Sequence, residues 1–288
     1  PGPFSAIRVQ RGFSAFPRNW FIAMDLSDRP AVLAMQDTHF QTSEGSILLK
    51  EVSVTFRARS LTAIVGHNGS GKSTALKMLA GLNKPSGGTV TLDGENIASF
   101  GTREFAKNVA YLAQDPGDGA DYTVEELVAL GRYPWHGPFG RLQDHDKQAI
   151  ERAIALTGLE SLRQRAVHTL SGGERQRAWI AVTLAQQAPC LLLDEPISAL
   201  DLAHQYEILL LLAELSKQDG LCIIAVLHDI NLAARFADQI VALKNGHLIA
   251  DASPQTIMQP NILRDIFGID MLVQPHPTNG HPVALANV

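Results

Sequence analysis

The chain has 288 residues, 45% hydrophobic and 18% charged, which suits one large α/β domain or two small ones with ample core and excludes a disordered chain. Its net charge of −5 argues against a protein held to nucleic acid by phosphate neutralisation, so no nucleic-acid partner is expected. The longest apolar runs, 208–213 and 221–227, fall far short of the roughly 20 residues that a membrane helix needs.

In chain order, residues 1–30 mix Pro, Arg and aromatics without helical or strand period, and no apolar run suits a signal peptide. Met24 stands near the end of this stretch, which favours a native start there and an upstream read-through over 1–23; an Arg-containing targeting arm is the rival reading. From 31 to 92 the signals are strand-like: Val52, Val54 and Phe56 alternate with polar residues, 61–65 is a buried run, and 89–92 ends at the turn pair Asp93-Gly94. From Thr102 helices dominate. Asp144 is placed to cap a helix whose Ile150, Ala153, Ile154 and Thr157 share one face, with Gly158 as its stop. Two short apolar strands, 190–193 and 222–227, flank a helix over 205–217. Cys190 and Cys222 lie inside these strands and read as reduced core thiols. Asn245-Gly246 then joins strands 240–243 and 247–250 as a hairpin. The pattern is βα alternation with a helical insert between Phe100 and about Ser171. A proline-punctuated tail over 256–288 reads as short helices and an extended end.

The chemistry begins at Gly66-His67-Asn68-Gly69-Ser70-Gly71-Lys72-Ser73, followed by Thr74, which fits G-x-x-x-x-G-K-[ST] between a buried strand and a helix-forming run. Glycines let backbone N–H groups curl around phosphates, the new helix points its positive end at them, Lys72 adds a mobile cation, and Ser73 offers a hydroxyl to Mg²⁺. A nucleoside triphosphate and Mg²⁺ are therefore the expected ligands. His67 within this loop reads as structural. After the apolar run 191–193, Asp194 is the natural acid for the Mg²⁺ shell, and Glu195 is placed to polarise the water that attacks the γ-phosphate. Ser171, Gly172 and Gly173, ahead of a helix, form a second opening for a phosphate at a helix N-terminus.

At this point the sequence resembles the ATP-binding cassette family. Leu170-Ser171-Gly172-Gly173-Glu174 is similar to its LSGGQ signature with Glu for Gln, Gln114 stands in the Q-loop place, 198–201 with Asp201 resembles the D-loop, and His228 the switch histidine. The likeness runs over about residues 31–252. It implies an α/β P-loop NTPase (RecA-like) core with an N-terminal antiparallel β subdomain and an inserted α-helical subdomain over about 102–175, the whole domain spanning 31–255. It further implies a head-to-tail homodimer in which each ATP lies between Lys72 of one chain and Ser171, Gly172 and Gly173 of the other. Gln114 would sense Mg²⁺ and the attacking water and pass the signal to integral membrane permease subunits, and His228 would hold the γ-phosphate. Where many cassettes stack adenine on an aromatic, Ser43 and Glu44 stand here; Phe40 is the nearest ring, reachable only by a loop shift.

Gly131-Arg132-Tyr133-Pro134-Trp135-His136-Gly137 reads as a turn, or as an interface anchor in which exposed Tyr133 and Trp135 sit beside Arg132. Together with the phosphate loop and residues 225–235 it resembles the ATPase of bacterial iron–siderophore importers, nearest the ferric hydroxamate branch. That implies a subunit at the cytoplasmic face of the bacterial inner membrane, served indirectly by a siderophore-binding protein. The alternatives are an importer ATPase for another cargo such as cobalamin or haem, or a soluble cassette ATPase.

Overall fold

The computed structural model describes residues 32–117, 119, 121–137, 140–278 and 280–287, so the expected start at Met24 and the read-through over 1–23 lie outside the described residues. The chain opens with β1 (Leu33–Gln41) and β2 (Ile47–Phe56), paired antiparallel. In β2 Val52, Val54 and Phe56 are buried while Ser53 and Thr55 face outward, the expected alternation. β3 (Ser60–Val65) leads into α1 (Lys72–Leu79), and β4 (Gly87–Leu92) turns into the short β5 (Glu95–Asn96).

The central part holds α2 (Thr102–Asn108), β6 (Val109–Leu112), α3 (Val124–Ala129), α4 (Tyr133–His136), α5 (Asp144–Leu156) and α6 (Gly172–Ala185). β6 thus lies within the stretch read as the helical insert and pairs in parallel with β7 (Cys190–Leu193). Then follow α7 (Leu202–Gln218), β8 (Cys222–Val226), α8 (Ile230–Phe236), β9 (Gln239–Lys244) and β10 (His247–Ala252). The β9–β10 turn carries Asn245 and Gly246 at φ 51° and 82°, the two left-handed positions that a tight hairpin demands. The tail contains α9 (Pro254–Ile257), α10 (Pro260–Phe267), β11 (Met271–Pro275) and β12 (Pro282–Ala286). Its extended end is a hairpin, with Pro275 and Pro282 opposite each other beside the connecting turn.

A six-stranded sheet in the order β10-β9-β3-β8-β7-β6 forms the centre, parallel except for β10, and a four-stranded antiparallel sheet β2-β1-β4-β5 packs against it. The strand period of two divides the core. Ile64, Leu192, Ile224 and Val226 face the smaller sheet and α1, while Val65, Leu193, Ile223 and Ala225 face the α-helical layer. Cys190 and Cys222 are buried, opposite each other in register, and carry no disulfide.

In the helical layer, α5 buries Ile150, Ala153 and Ile154 as its spacing predicts. Asp144 is not the cap: it is the first helical residue, and Gln143 holds the cap position with its N–H donating to Asp146 Oδ2 at 2.8 Å. The expected anchor at 131–137 also differs. Only Tyr133 is strongly exposed, at 56%. Arg132 is buried, its Nε donating to Asp146 Oδ1 at 2.8 Å and its Nη1 to the Ala185 carbonyl at 2.8 Å and Gln187 Oε1 at 2.9 Å. Trp135 Nε1 donates to the Gln186 carbonyl at 2.8 Å, and Arg132 and Lys107 lie 5.1 and 5.2 Å from its ring centre. The last carbonyls of a helix need donors, and the end of α6 takes them from this loop. His136 Nε2 closes the network on Asp146 Oδ2 at 2.9 Å.

Burial works against the Asp146 carboxylate, but the Gln143 N–H, Arg132 and His136 hold its pKa below the ordinary 3.8. The stability this gives is complete above that value and lost as pH falls further, through the lower folded-state pKa. Asp146→Ala leaves Arg132 buried without its charge partner and is expected to cost about 3 kcal/mol in urea unfolding at pH 7; a loss below about 0.5 kcal/mol, the size of a neutral surface change, would show the pair to be dispensable.

Candidate nucleotide site

The site lies along the carboxyl edge of the large sheet, where β3, β6, β7 and β8 all end and parallel strands expose their loops to a ligand. β3 runs into Gly66 at φ 143°, where any Cβ would stand 2.1 Å from the Leu243 carbonyl oxygen, so only glycine lets the chain leave the strand here. The loop closes at Gly71, φ 101°, which caps α1 without a side chain and leaves the first-turn amides open. No acidic side chain occupies that first turn, so the positive end of α1 faces the loop uncompensated.

Lys72 is buried against the loop it serves: Nζ donates to the carbonyls of Gly66 at 2.9 Å and His67 at 2.8 Å. Burial pushes its ammonium pKa down, opposed by the negative charges of Glu195 and Asp194. Ser73 Oγ donates to Asp194 Oδ1 at 3.0 Å. Asp194 directly follows β7, its own N–H donating to the Leu112 carbonyl at 2.9 Å. Desolvation pushes its carboxyl pKa up, with the Ser73 bond pulling the other way and Glu195 adding to the rise. Tyr111, on the neighbouring strand, is pushed up to about 12 by burial and by the charge of Asp194.

Glu195 takes the left-handed conformation, φ 52°, a strained backbone for a residue with a Cβ. It turns away from the line of β7, and His228 Nε2 meets Glu195 Oε1 at 2.7 Å. His228 arrives from just beyond β8, held alongside because Leu193 and Ala225 are register partners. A cavity of about 410 Å³ opens here. Asn68, Gly69, Gly71, Lys72, Ser73 and Thr74 line it together with Gln114, Glu195, His228 and Leu48. The loops after four strands therefore converge on a volume suited to a small molecule, with a cation, a carboxylate and an imidazole around it.

Other expected residues lie elsewhere. Ser171, Gly172, Gly173 and Asp201 do not line this cavity. Ser171 caps α6: its Oγ accepts from Glu174 N at 3.3 Å while Glu174 Oε2 accepts from Ser171 N at 2.8 Å. The Ser171 N–H, and after it the Ser171 hydroxyl, hold the Glu174 carboxyl pKa below its usual range. Ser171 and Gly172 are exposed, and Gly173 packs near the Leu200 side chain. Asp201 caps α7, accepting from His204 N at 3.0 Å. His67 is exposed on the loop and meets the Phe267 ring edge-on, centroids 5.9 Å apart. Phe40 packs onto the core beneath the smaller sheet rather than into the cavity. Leu48 and Tyr111 escaped the sequence reading: both sit in ordinary strand patterns, and only cross-strand neighbours bring them to the site.

Residues 49–198 match the ABC transporter family. The chain belongs to that family. This cassette binds and hydrolyses ATP, and it is 41% identical over 239 residues to the iron(3+)-hydroxamate import ATP-binding protein FhuC of Bacillus subtilis (strain 168), covering 83% of this chain and 89% of the relative. It is 43% identical over 224 residues to the ferric enterobactin transport ATP-binding protein FepC of Escherichia coli (strain K12), covering 78% and 83%. Among solved structures, dimeric MJ0796, a bacterial ABC transporter cassette, superposes with a TM-score of 0.68 at 29% identity, over 77% of this chain and 98% of that one. The α/β fold of the cassette, its small antiparallel sheet and its helical layer accord with the P-loop NTPase architecture.

Lys72→Ala removes the buried cation of the loop. ATP affinity, measured by equilibrium binding, is expected to fall at least about tenfold, or about 1.4 kcal/mol; an unchanged Kd would strip Lys72 of its phosphate role.

Proposed function

We propose that this cassette powers import of an iron(III)–siderophore complex, of the hydroxamate class, through separate integral membrane permease subunits. The carrying observation is the cassette's 41–43% identity, over most of its length, to two import subunits named for ferric siderophores. The cargo never reaches this chain. It would be delivered to the permease by a siderophore-binding protein, and the cassette would sit peripherally on the cytoplasmic face of the inner membrane. Among the described residues no helix is long and apolar enough to cross a membrane, which accords with attachment through a partner. Tyr133, Leu130 and Leu142, the exposed apolar side chains near the 131–137 loop, are the surface offered for that attachment.

The working unit is a homodimer. Within one chain the cavity has phosphate-loop residues, the Glu195 carboxylate and His228, while the open end of α6 at Ser171, Gly172 and Gly173 faces outward. A second copy, turned head to tail, brings its own Ser171–Gly173 turn to the phosphates, and two-fold symmetry repeats the arrangement at the second site. Asp201, beside that turn through Leu200, joins the same interface. The dimeric solved relative supports this reading.

In hydrolysis, Glu195 polarises the attacking water and His228 orients it. At rest His228 Nε2 is engaged with Glu195; a γ-phosphate oxygen competing for that nitrogen releases the carboxylate to accept a proton from water. Ser73, Asp194 and Gln114 supply oxygen donors that fit Mg²⁺, which keeps few protein ligands and leans on phosphates and water. Held by these residues, Mg²⁺ would neutralise phosphate charge. Closing of the dimer on ATP and reopening after hydrolysis drives alternating access in the permease.

Glu195→Gln is expected to keep ATP binding and favour the closed dimer while turnover falls at least about 100-fold, the usual worth of a general base; normal phosphate release would remove Glu195 from the chemistry. For the cargo, cells lacking this gene are expected to lose uptake of radio-iron supplied as a ferric hydroxamate. Normal uptake, with haem or cobalamin uptake lost instead, would overturn the cargo.

A further inference from the structure

The C-terminal segment lies beyond the part that matches the family, yet it reaches the site at two places. Phe267, the last residue of α10, meets His67 in the phosphate loop. The second contact is more specific. β12 lies against α8, where the Asn231 carboxamide donates from Nδ2 to the Ala284 carbonyl at 3.1 Å and accepts at Oδ1 from the Ala284 N–H at 2.7 Å. One side chain thereby pairs with an edge strand as a neighbouring strand would, satisfying both backbone groups of a residue that is 6% exposed.

Asn231 is itself held by the turn that carries His228. Asp229 caps α8, its carboxylate accepting from Asn231 N at 2.7 Å and Leu232 N at 3.2 Å. His228 immediately precedes this cap and holds Glu195 at 2.7 Å. A continuous set of bonds therefore runs from β12 through Asn231 and Asp229 to the residue that contacts the proposed base. The hairpin is seated rather than dangling, because Ala284, Met271 and Val273 join the main core. A two-stranded hairpin alone is marginal, so its order depends on this seating.

We propose that Asn231 is a positioning residue: it clamps the C-terminal hairpin onto the start of α8 and so fixes His228 against Glu195, making the C-terminal segment a determinant of turnover and not of nucleotide affinity. The inference rests on the reading of His228 given under Proposed function. Its chemistry is selective, since Asp at this position retains the acceptor for the Ala284 N–H but loses the donor and sets a carboxylate against the Ala284 carbonyl.

The test is steady-state ATPase kinetics of the purified full-length chain with Mg²⁺-ATP, comparing Asn231→Asp, Asn231→Ala, His228→Ala and the pairs of each Asn231 change with His228→Ala. Either Asn231 change is expected to lower kcat about fivefold while KM moves less than about twofold. Added to His228→Ala, it is expected to cost nothing further, because a clamp that works through His228 has nothing left to position. A change that only loosened the fold would multiply with His228→Ala. Should the Asp variant fail to fold, the uncharged Ala variant carries the comparison. Wild-type kcat in a folded Asn231 variant, or losses that multiply, would overturn the clamp while leaving His228 in place. Wild-type turnover in His228→Ala would overturn the role of His228, and the clamp with it.

Discussion

The site depends on one close approach: the backbone at Gly66 passes so near the Leu243 carbonyl that no side chain fits between them. That contact sets the phosphate loop against β9, and β3 in turn holds β8, β7 and β6 in register beside it. The segments that follow the strands then bring their side chains to the same edge: Lys72 at the end of the loop after β3, Gln114 after β6, Asp194 and Glu195 after β7, His228 after β8. Burial works against the charged forms of both Lys72 and Asp194, and a polyphosphate with its counter-ion has a prepared charge pattern to enter.

The opposite end of the chemistry is built to stay open. Ser171 and Glu174 satisfy each other's N–H groups in a capping box, which stabilises α6 while leaving Gly172 bare at its tip. Glu at 174, where the family signature carries Gln, serves this cap as a carboxylate acceptor. A helix end that is locally satisfied yet exposed suits the interface proposed between two copies of the chain.

Charge buried in the helical layer has a different purpose. Arg132 and Trp135 close the carbonyl end of α6, and Asp146 offsets the guanidinium from α5. The loop is thereby fixed to the far end of the same helix whose N-terminus carries Ser171.

Much of the fold was legible in the sequence because its signals are local. Strand alternation at Val52, Val54 and Phe56, the Asn245-Gly246 hairpin, the strand–loop–helix setting of Lys72, and the apolar run ahead of Asp194 each need only neighbouring residues to be read. Where two groups compete for one partner, the sequence was silent. Arg132 and Trp135 look like surface anchors until the end of α6 is placed beside them, Asp144 looks like a cap until Gln143 takes that position, and Phe40 looks available until β1 is packed on the core. The sequence by itself determined which residues are the candidates for phosphate chemistry, since glycine, lysine and carboxylate at fixed spacing leave few other uses. Only the tertiary structure decided which of them share a cavity and which face outward, and that Asn231 pairs with Ala284 across 53 residues, because hydrogen bonds between distant segments are chosen by packing and leave no periodic trace in the chain.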